Sequence, residues 1–204
     1  MASPALVVLD FETSGLSPAQ GDRAIEIGAV LIRGGQVVDQ FQSLMNPGFR
    51  VSGFIEAYTG IANAMLAKAP PCAEVMARFA AFIGDLPLVA HNASFDSRFL
   101  AAELQRIGAA PPGRFACTML NARRIFPGAP NHRLETLVDY LRLPRPEQFH
   151  RALADARMAG AVWLATEAEI KARYQLDPVP FEWMRRLGSV PRHRVEAFFQ
   201  PGPA

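Results

Sequence analysis

A chain of 204 residues, half of them hydrophobic, can bury one substantial core and needs no second domain to do so. Its formal net charge of +2 is too small to indicate nucleic-acid binding by itself, and no uninterrupted apolar run reaches membrane-spanning length. The opening MASPALVVLDF lacks a secretory leader's basic segment, and Cys72 and Cys117 form neither a zinc pattern nor a disulfide framework, so the expectation is a cytoplasmic protein without membrane contact.

The first predicted strand is Ala5 to Asp10, a short β-branched run, followed after a Gly/Pro/Asp-rich turn by Ala24 to Arg33. Gly34-Gly35 reads as a hairpin turn into a third strand, Gln36 to Met45, which Asn46-Pro47-Gly48 breaks. Val75, Met76, Phe79, Ala80, Phe82 and Ile83 recur at helical spacing, and Pro87 to His91 returns as a strand. Ser94 to Ile107 is the next helix, ended by Gly108 and a Pro pair. A short strand and helix over Phe115 to Phe126, a helix over Leu134 to Leu141 and a long helix over Ala152 to Tyr174 complete the pattern. The tail from Pro178 holds five prolines and resists assignment. Strands first, then helices alternating with strands, predict one α/β domain built on a mixed sheet flanked by helices.

Asp10 and Glu12 are two residues apart where the first strand ends, which sets both carboxylates on one face. Asp96 shares a helical stripe with Leu100, Leu104 and Ile107, and Asp155 shares one with Ala152, Ala156, Ala159 and Trp163. Each therefore points inward, where an uncompensated charge is costly and a cation or hydrogen-bond network is required. Taken singly, each has an ordinary explanation as a strand end reaching solvent or an acid complementing a helix dipole. Together they fall where open α/β sheets place their sites. Hard oxygen ligands without a His/Cys cluster suit Mg²⁺ or Mn²⁺, and paired divalent cations suit in-line displacement at phosphorus. His150, five residues ahead of Asp155, can accept a proton from water near neutral pH.

Charge is unevenly spread. Residues 1–96 carry five Lys/Arg against nine Asp/Glu, and residues 97–151 carry nine Arg against four acids, among them Arg98, Arg123, Arg124, Arg133 and Arg151. That is either a phosphate-tracking surface beside an acidic site or a solvated basic face. The tail sets Arg185, Arg186, Arg192 and Arg194 among Phe181, Trp183, Phe198 and Phe199, a mixture that either grips single-stranded nucleic acid or packs on the domain.

The segments VVLDFETSGLSPAQGDRAIEIGAV, VAHNASFDSRFL and HRALADA resemble the three motifs of the DEDDh group of DnaQ-like 3′→5′ exonucleases, over about residues 5–170. The resemblance implies a ribonuclease-H-like fold, a catalytic domain over residues 1–175 and a tail over 176–204 that packs on it or binds a partner. It implies two divalent cations held by Asp10, Glu12, Asp96 and Asp155, with His150 as general base. It also implies that Thr13, Ser14, Gly15 and Leu16 line the pocket for the terminal nucleotide, with Leu16 wedged against the last base. Phe95 is a candidate for the same contact, and His91 and Asn92 are candidates whose alternative is packing and turn formation. Phe11 departs from the motif at a position expected to point away from the carboxylates. The expected substrate is the single-stranded or frayed 3′ end of DNA. An RNA trimmer and a non-catalytic binding subunit that recruits a DNA polymerase are the alternatives, and a homodimer is open. No sliding-clamp peptide occurs, the nearest segment, Gln42 to Pro47, falling in a predicted strand, which weakens the replicase reading.

Overall fold

Alternation along the first strand decides the architecture, because both of its faces are apolar. The computed structural model describes residues 5–110, 113–145 and 151–200. In it β1 (Leu6–Thr13) is the middle strand of a five-stranded sheet. β2 (Ala24–Arg33) pairs antiparallel to it and β3 (Gln36–Leu44) antiparallel to β2, while β4 (Leu88–Ala90) and β5 (Phe115–Cys117) continue the other side in parallel, giving the order β3-β2-β1-β4-β5. Val7, Leu9 and Phe11 face α3 (Cys72–Ile83) and α4 (Ser94–Arg106), together with Ile27, Phe79 and Phe99. Leu6 and Val8 face the opposite layer, built from α5 (Thr118–Ile125), α6 (Leu134–Tyr140) and α7 (Ala152–Tyr174). The period of two thus fills two cores from one strand.

The mixed five-stranded sheet flanked by helices is the fold the sequence implied. α7 spans the residues expected of it. Its inner face is small, with Ala152, Ala156, Ala159 and Gly160 buried, so the backbone can lie close on β1 and β2. Gly160 rests against Ile32, Val30 and Val8.

Several boundaries differ from expectation. β1 runs three residues beyond Asp10, because pairing with β2 continues through Glu12 opposite Glu26 and Thr13 opposite Ala24, so both acids lie within a strand rather than at its end. β4 keeps only Leu88–Ala90, since His91 and Asn92 already turn, Asn92 at φ 62°. Two short helices precede α3 and were not anticipated. α1 (Gly53–Thr59) is capped by the Ser52 hydroxyl, which accepts from the Ile55 N–H at 3.3 Å, and α2 (Asn63–Leu66) follows at once. The tail is helical, with α8 (Phe181–Leu187) and α9 (Val195–Phe199). Two of its aromatic residues are consumed by packing, Phe181 against Trp163 at 5.7 Å and Phe199 against Tyr174 at 4.3 Å between ring centroids, so those two rings are not free to stack on bases. Among the described residues no helix is long and apolar enough to cross a membrane.

Candidate active site

Where parallel strands end beside an antiparallel neighbour, side chains from several elements meet over the sheet's carboxyl edge. Here β1 delivers Asp10 and Glu12 to the face covered by α7, as their cross-strand partners Gly28 and Glu26 show. The first turn of α7 adds Asp155, and the first turn of α4, just after β4, adds Asp96. Asp10, Glu12 and Asp155 each offer a carboxylate oxygen within 4.8 Å of the others. Asp96 is buried beside them, its Oδ1 accepting from the Phe11 N–H at 3.2 Å.

The electrostatics follow from that crowding. Burial holds the Asp10 carboxyl well above the ordinary range, and the charges of Asp96, Asp155 and Glu12 add to it. Burial, then the charges of Asp155 and Glu26, pushes Glu12 up to about 8. Asp96 is raised to about 7, mainly by burial, against the lowering effect of the Phe11 N–H. Carboxylates assembled at such a cost fit a site for divalent cations, whose charge would reverse the balance.

These acids line a cavity of about 790 Å³ whose wall also includes Thr13, Ser14, Gly15, Leu16, His91, Asn92 and Phe95. The structure therefore brings together every described member of the expected set, and His150 lies outside the described residues. Gly15 has a specific reason to lack a side chain, because a methyl there would overlap the Asp22 carboxylate. That carboxylate accepts from the Ser17 N–H at 2.9 Å and so shapes the loop carrying Leu16.

His91 has internal work. Its Nε2 lies 3.0 Å from the His132 carbonyl, which can only accept, so Nε2 carries the proton and Nδ1 accepts from the Thr118 hydroxyl at 2.8 Å. Burial pushes its pKa down to about 4, with the nearby Arg123 charge acting in the same direction.

Two features escaped sequence reasoning. The first is a pair of exposed aromatic rings on α1: Phe54 is 74% and Tyr58 55% exposed, with centroids 5.9 Å apart and planes 10° from parallel. Both line the cavity, as does Leu16, itself 79% exposed. Their signal was the i, i+4 spacing behind a Ser cap.

The second is Glu26, fully buried in β2. Its carboxylate takes the Arg151 guanidinium at 2.8 and 3.1 Å, the Ala152 N–H at 3.2 Å and the Gln42 amide at 2.9 Å. It caps α7 from another strand and so fixes where Asp155 stands. A lone acid in the apolar run AIEIGAV was the signal, since it had to find a partner. Arg151, counted above with the basic surface residues, is instead turned inward. Arg151→Met should lower stability by about 2–4 kcal/mol, less than for a wholly buried pair because the arginine is partly exposed, as read from urea denaturation. A change below about 0.5 kcal/mol would show that the Arg151–Glu26 pair does not hold the start of α7.

The family model RNase_T, an exonuclease, matches residues 7–163. The chain belongs to this exonuclease family. Over 199 residues, 96% of the chain, it is 32% identical to the 3′-5′ exonuclease DinG of Bacillus subtilis (strain 168), and over 155 residues, 76% of the chain, 43% identical to the PolC-type DNA polymerase III of Oceanobacillus iheyensis. It spans only 20% and 11% of those relatives' lengths. A solved structure of Exonuclease X with 5′ overhanging duplex DNA superposes with a TM-score of 0.70 at 28% identity, covering 90% of this chain and 99% of that one. Exonucleases of this family use divalent metals, and among the described residues the Asp10, Glu12 and Asp155 cluster could hold one.

Proposed function

We propose that the protein is a 3′→5′ exonuclease that removes nucleoside 5′-monophosphates from single-stranded or frayed 3′ ends of DNA. The observation that carries this reading is the meeting of four inward carboxylates with an exposed hydrophobic and aromatic wall in one cavity. Asp10, Glu12, Asp96 and Asp155 would hold two divalent cations, Mg²⁺ or Mn²⁺. Bound there, such ions would supply Lewis-acid stabilisation of charge developing at phosphorus.

The remaining steps belong to the protein. His150 accepts a proton from the attacking water, whose oxygen bonds to phosphorus as the bond to the leaving 3′ oxygen breaks. The products are a nucleoside 5′-monophosphate and a strand one residue shorter with a free 3′ hydroxyl. Leu16 wedges against the last base, while Phe54 and Tyr58 present ring faces to which any base can stack, which suits removal without regard to sequence. Thr13, Ser14, Gly15 and Phe95 complete the pocket, with His91 and Asn92 shaping its floor. DNA is favoured over RNA by the PolC-type relatives and by the DNA held in Exonuclease X. The same relatives make association with a polymerase a coherent setting for the domain.

The test is degradation of 5′-labelled single-stranded DNA and RNA with Mg²⁺, Mn²⁺ or EDTA. The expected result is a ladder shortening from the 3′ end, faster on DNA and stopped by EDTA. His150→Ala should slow it by about 10² to 10⁴-fold, and Phe54→Ala should raise KM by about tenfold with kcat little changed. Absence of cleavage by wild-type protein on both substrates would overturn the free-standing enzyme and favour a binding subunit.

A further inference from the structure

The site leaves one set of charges unexplained. Residues 176–200, beyond the family match, contain three acids, and all three are engaged: Asp177 with Lys171 at 3.2 Å, Glu182 with Arg185 at 2.7 Å, and Glu196 with the Tyr174 hydroxyl at 3.0 Å. Arg186, Arg192 and Arg194 are exposed, and among the described residues no carboxylate pairs with them. Arg186 lies over the Phe198 ring, 5.7 Å from its centroid, which orients the guanidinium without neutralising it. It lines, with Arg185, Arg194 and Phe198, an open groove of about 470 Å³ along α8 and α9.

This basic groove is joined to the catalytic cavity by a continuous run of structure. His91, in the cavity wall, bonds Thr118 at the start of α5, and α5 ends in Arg123 and Arg124. Arg124 donates to the Val190 carbonyl at 2.9 Å, and Val190 is part of the groove. Burial, and after it the nearby Arg192 and Arg123 charges, lower the Arg124 pKa, so several guanidinium groups stand close together at this end of α5. A bound anion would offset their mutual repulsion.

We propose that the end of α5 together with α8 and α9 forms a second nucleic-acid site, one that holds the phosphodiester backbone of the substrate strand away from the reacting 3′ end. The inference rests on the exonuclease reading above. Guanidinium groups suit it because they give paired hydrogen bonds to phosphate oxygens, and the aromatic residues beneath them serve as scaffold rather than as base platforms. The surface would let the enzyme keep its grip on a long strand between cuts.

The experiment combines Arg186→Glu, Arg192→Glu and Arg194→Glu and compares two single-stranded DNA substrates of about four and about twenty-five nucleotides over a range of salt. On the long strand, affinity should fall at least about tenfold and the slope of log K against log salt should shrink by about 2, or about 0.7 for each lost phosphate contact. Turnover of the short substrate should stay within about twofold, which also shows that the variant is folded. Lysine at the same three positions should retain the wild-type slope, because it keeps the charge. An unchanged slope and affinity on the long strand would overturn the proposal and leave an acidic protein as the occupant. Equal losses on both substrates would also overturn it, by showing that the groove acts through the catalytic cavity. Failure of wild-type protein to cut either strand would instead defeat the exonuclease reading.

Discussion

Asp10→Asn should lower turnover by at least about 10³-fold, a loss of about 4 kcal/mol in transition-state stabilisation, while making the metal-free protein more stable. The two effects share one cause. Burial, and then the charges of Asp96, Asp155 and Glu12, hold the Asp10 carboxyl far above its usual range. Asparagine keeps the shape and removes the charge, so repulsion that the protein tolerates for function disappears. The sign of the pH dependence follows from the neighbours. Glu12 is raised from 4.5 to about 8, so the folded state holds a proton that the unfolded state has lost. Its contribution is complete below pH 4.5 and fades as pH rises to about 8, and Asp96 behaves alike between 3.8 and about 7.

The wild-type, metal-free protein should therefore lose thermal stability between about pH 5 and about pH 8, and the variant should lose less. Cation binding displaces those protons, so Mn²⁺ should raise the wild-type melting temperature more at about pH 8 than at about pH 6, and raise that of Asp10→Asn little. Calorimetry with and without Mn²⁺ reads both. A variant less stable than wild type in EDTA at high pH would mean that Asp10 is satisfied by hydrogen bonds and is not held against its neighbours.

How far the site was legible in the sequence depended on the range of the interaction. Asp10 and Glu12 on one strand, and Asp96 and Asp155 on helical stripes, follow from periods of 2 and 3.6, which are local. Their convergence was suggested by their places at strand and helix ends and made specific by the family resemblance, because nothing local says that residues 10, 96 and 155 meet. Glu26 shows the limit. As a lone acid in an apolar strand it announced a partner, but Arg151 lies 125 positions away and its choice is a tertiary event. The tail was misleading in a different way. Its prolines hid the helical character, since Pro180 stands at the start of α8 and Pro191 at the start of the 3-10 turn Arg192–Arg194 that leads into α9, places where a missing N–H costs nothing. Phe54 and Tyr58 were overlooked because exposed aromatic residues on a seven-residue helix leave no hydrophobic stripe to detect.

The second large effect is expected at a residue without chemistry. Gly28 pairs with Asp10 across β1 and β2, and a methyl group there would overlap the backbone of Ala152 and Leu153 in the first turn of α7. Backbone cannot rotate aside as a side chain can, so Gly28→Ala must either lift the helix or spread the strands, at a cost of about 3 kcal/mol or more. The lift would be felt at the site. Glu26, two residues earlier, holds the Ala152 N–H and Arg151, and Asp155 follows in the same helical turn, so the carboxylate cluster would open on one side. A displacement of about 1 Å at reacting groups is worth about 10²-fold in rate, so activity should drop by that order even well below the melting temperature, with weaker Mn²⁺ binding. Gly160 in the same helix is the control. A methyl there would meet the end of the Ile32 side chain at 3.3 Å, a contact that a rotamer change can relieve, and alanine adds about 1 kcal/mol of helix propensity. Gly160→Ala should thus be near neutral in stability and activity. If the two substitutions behaved alike, the close approach of α7 to β2 would not be what sets the position of Asp155.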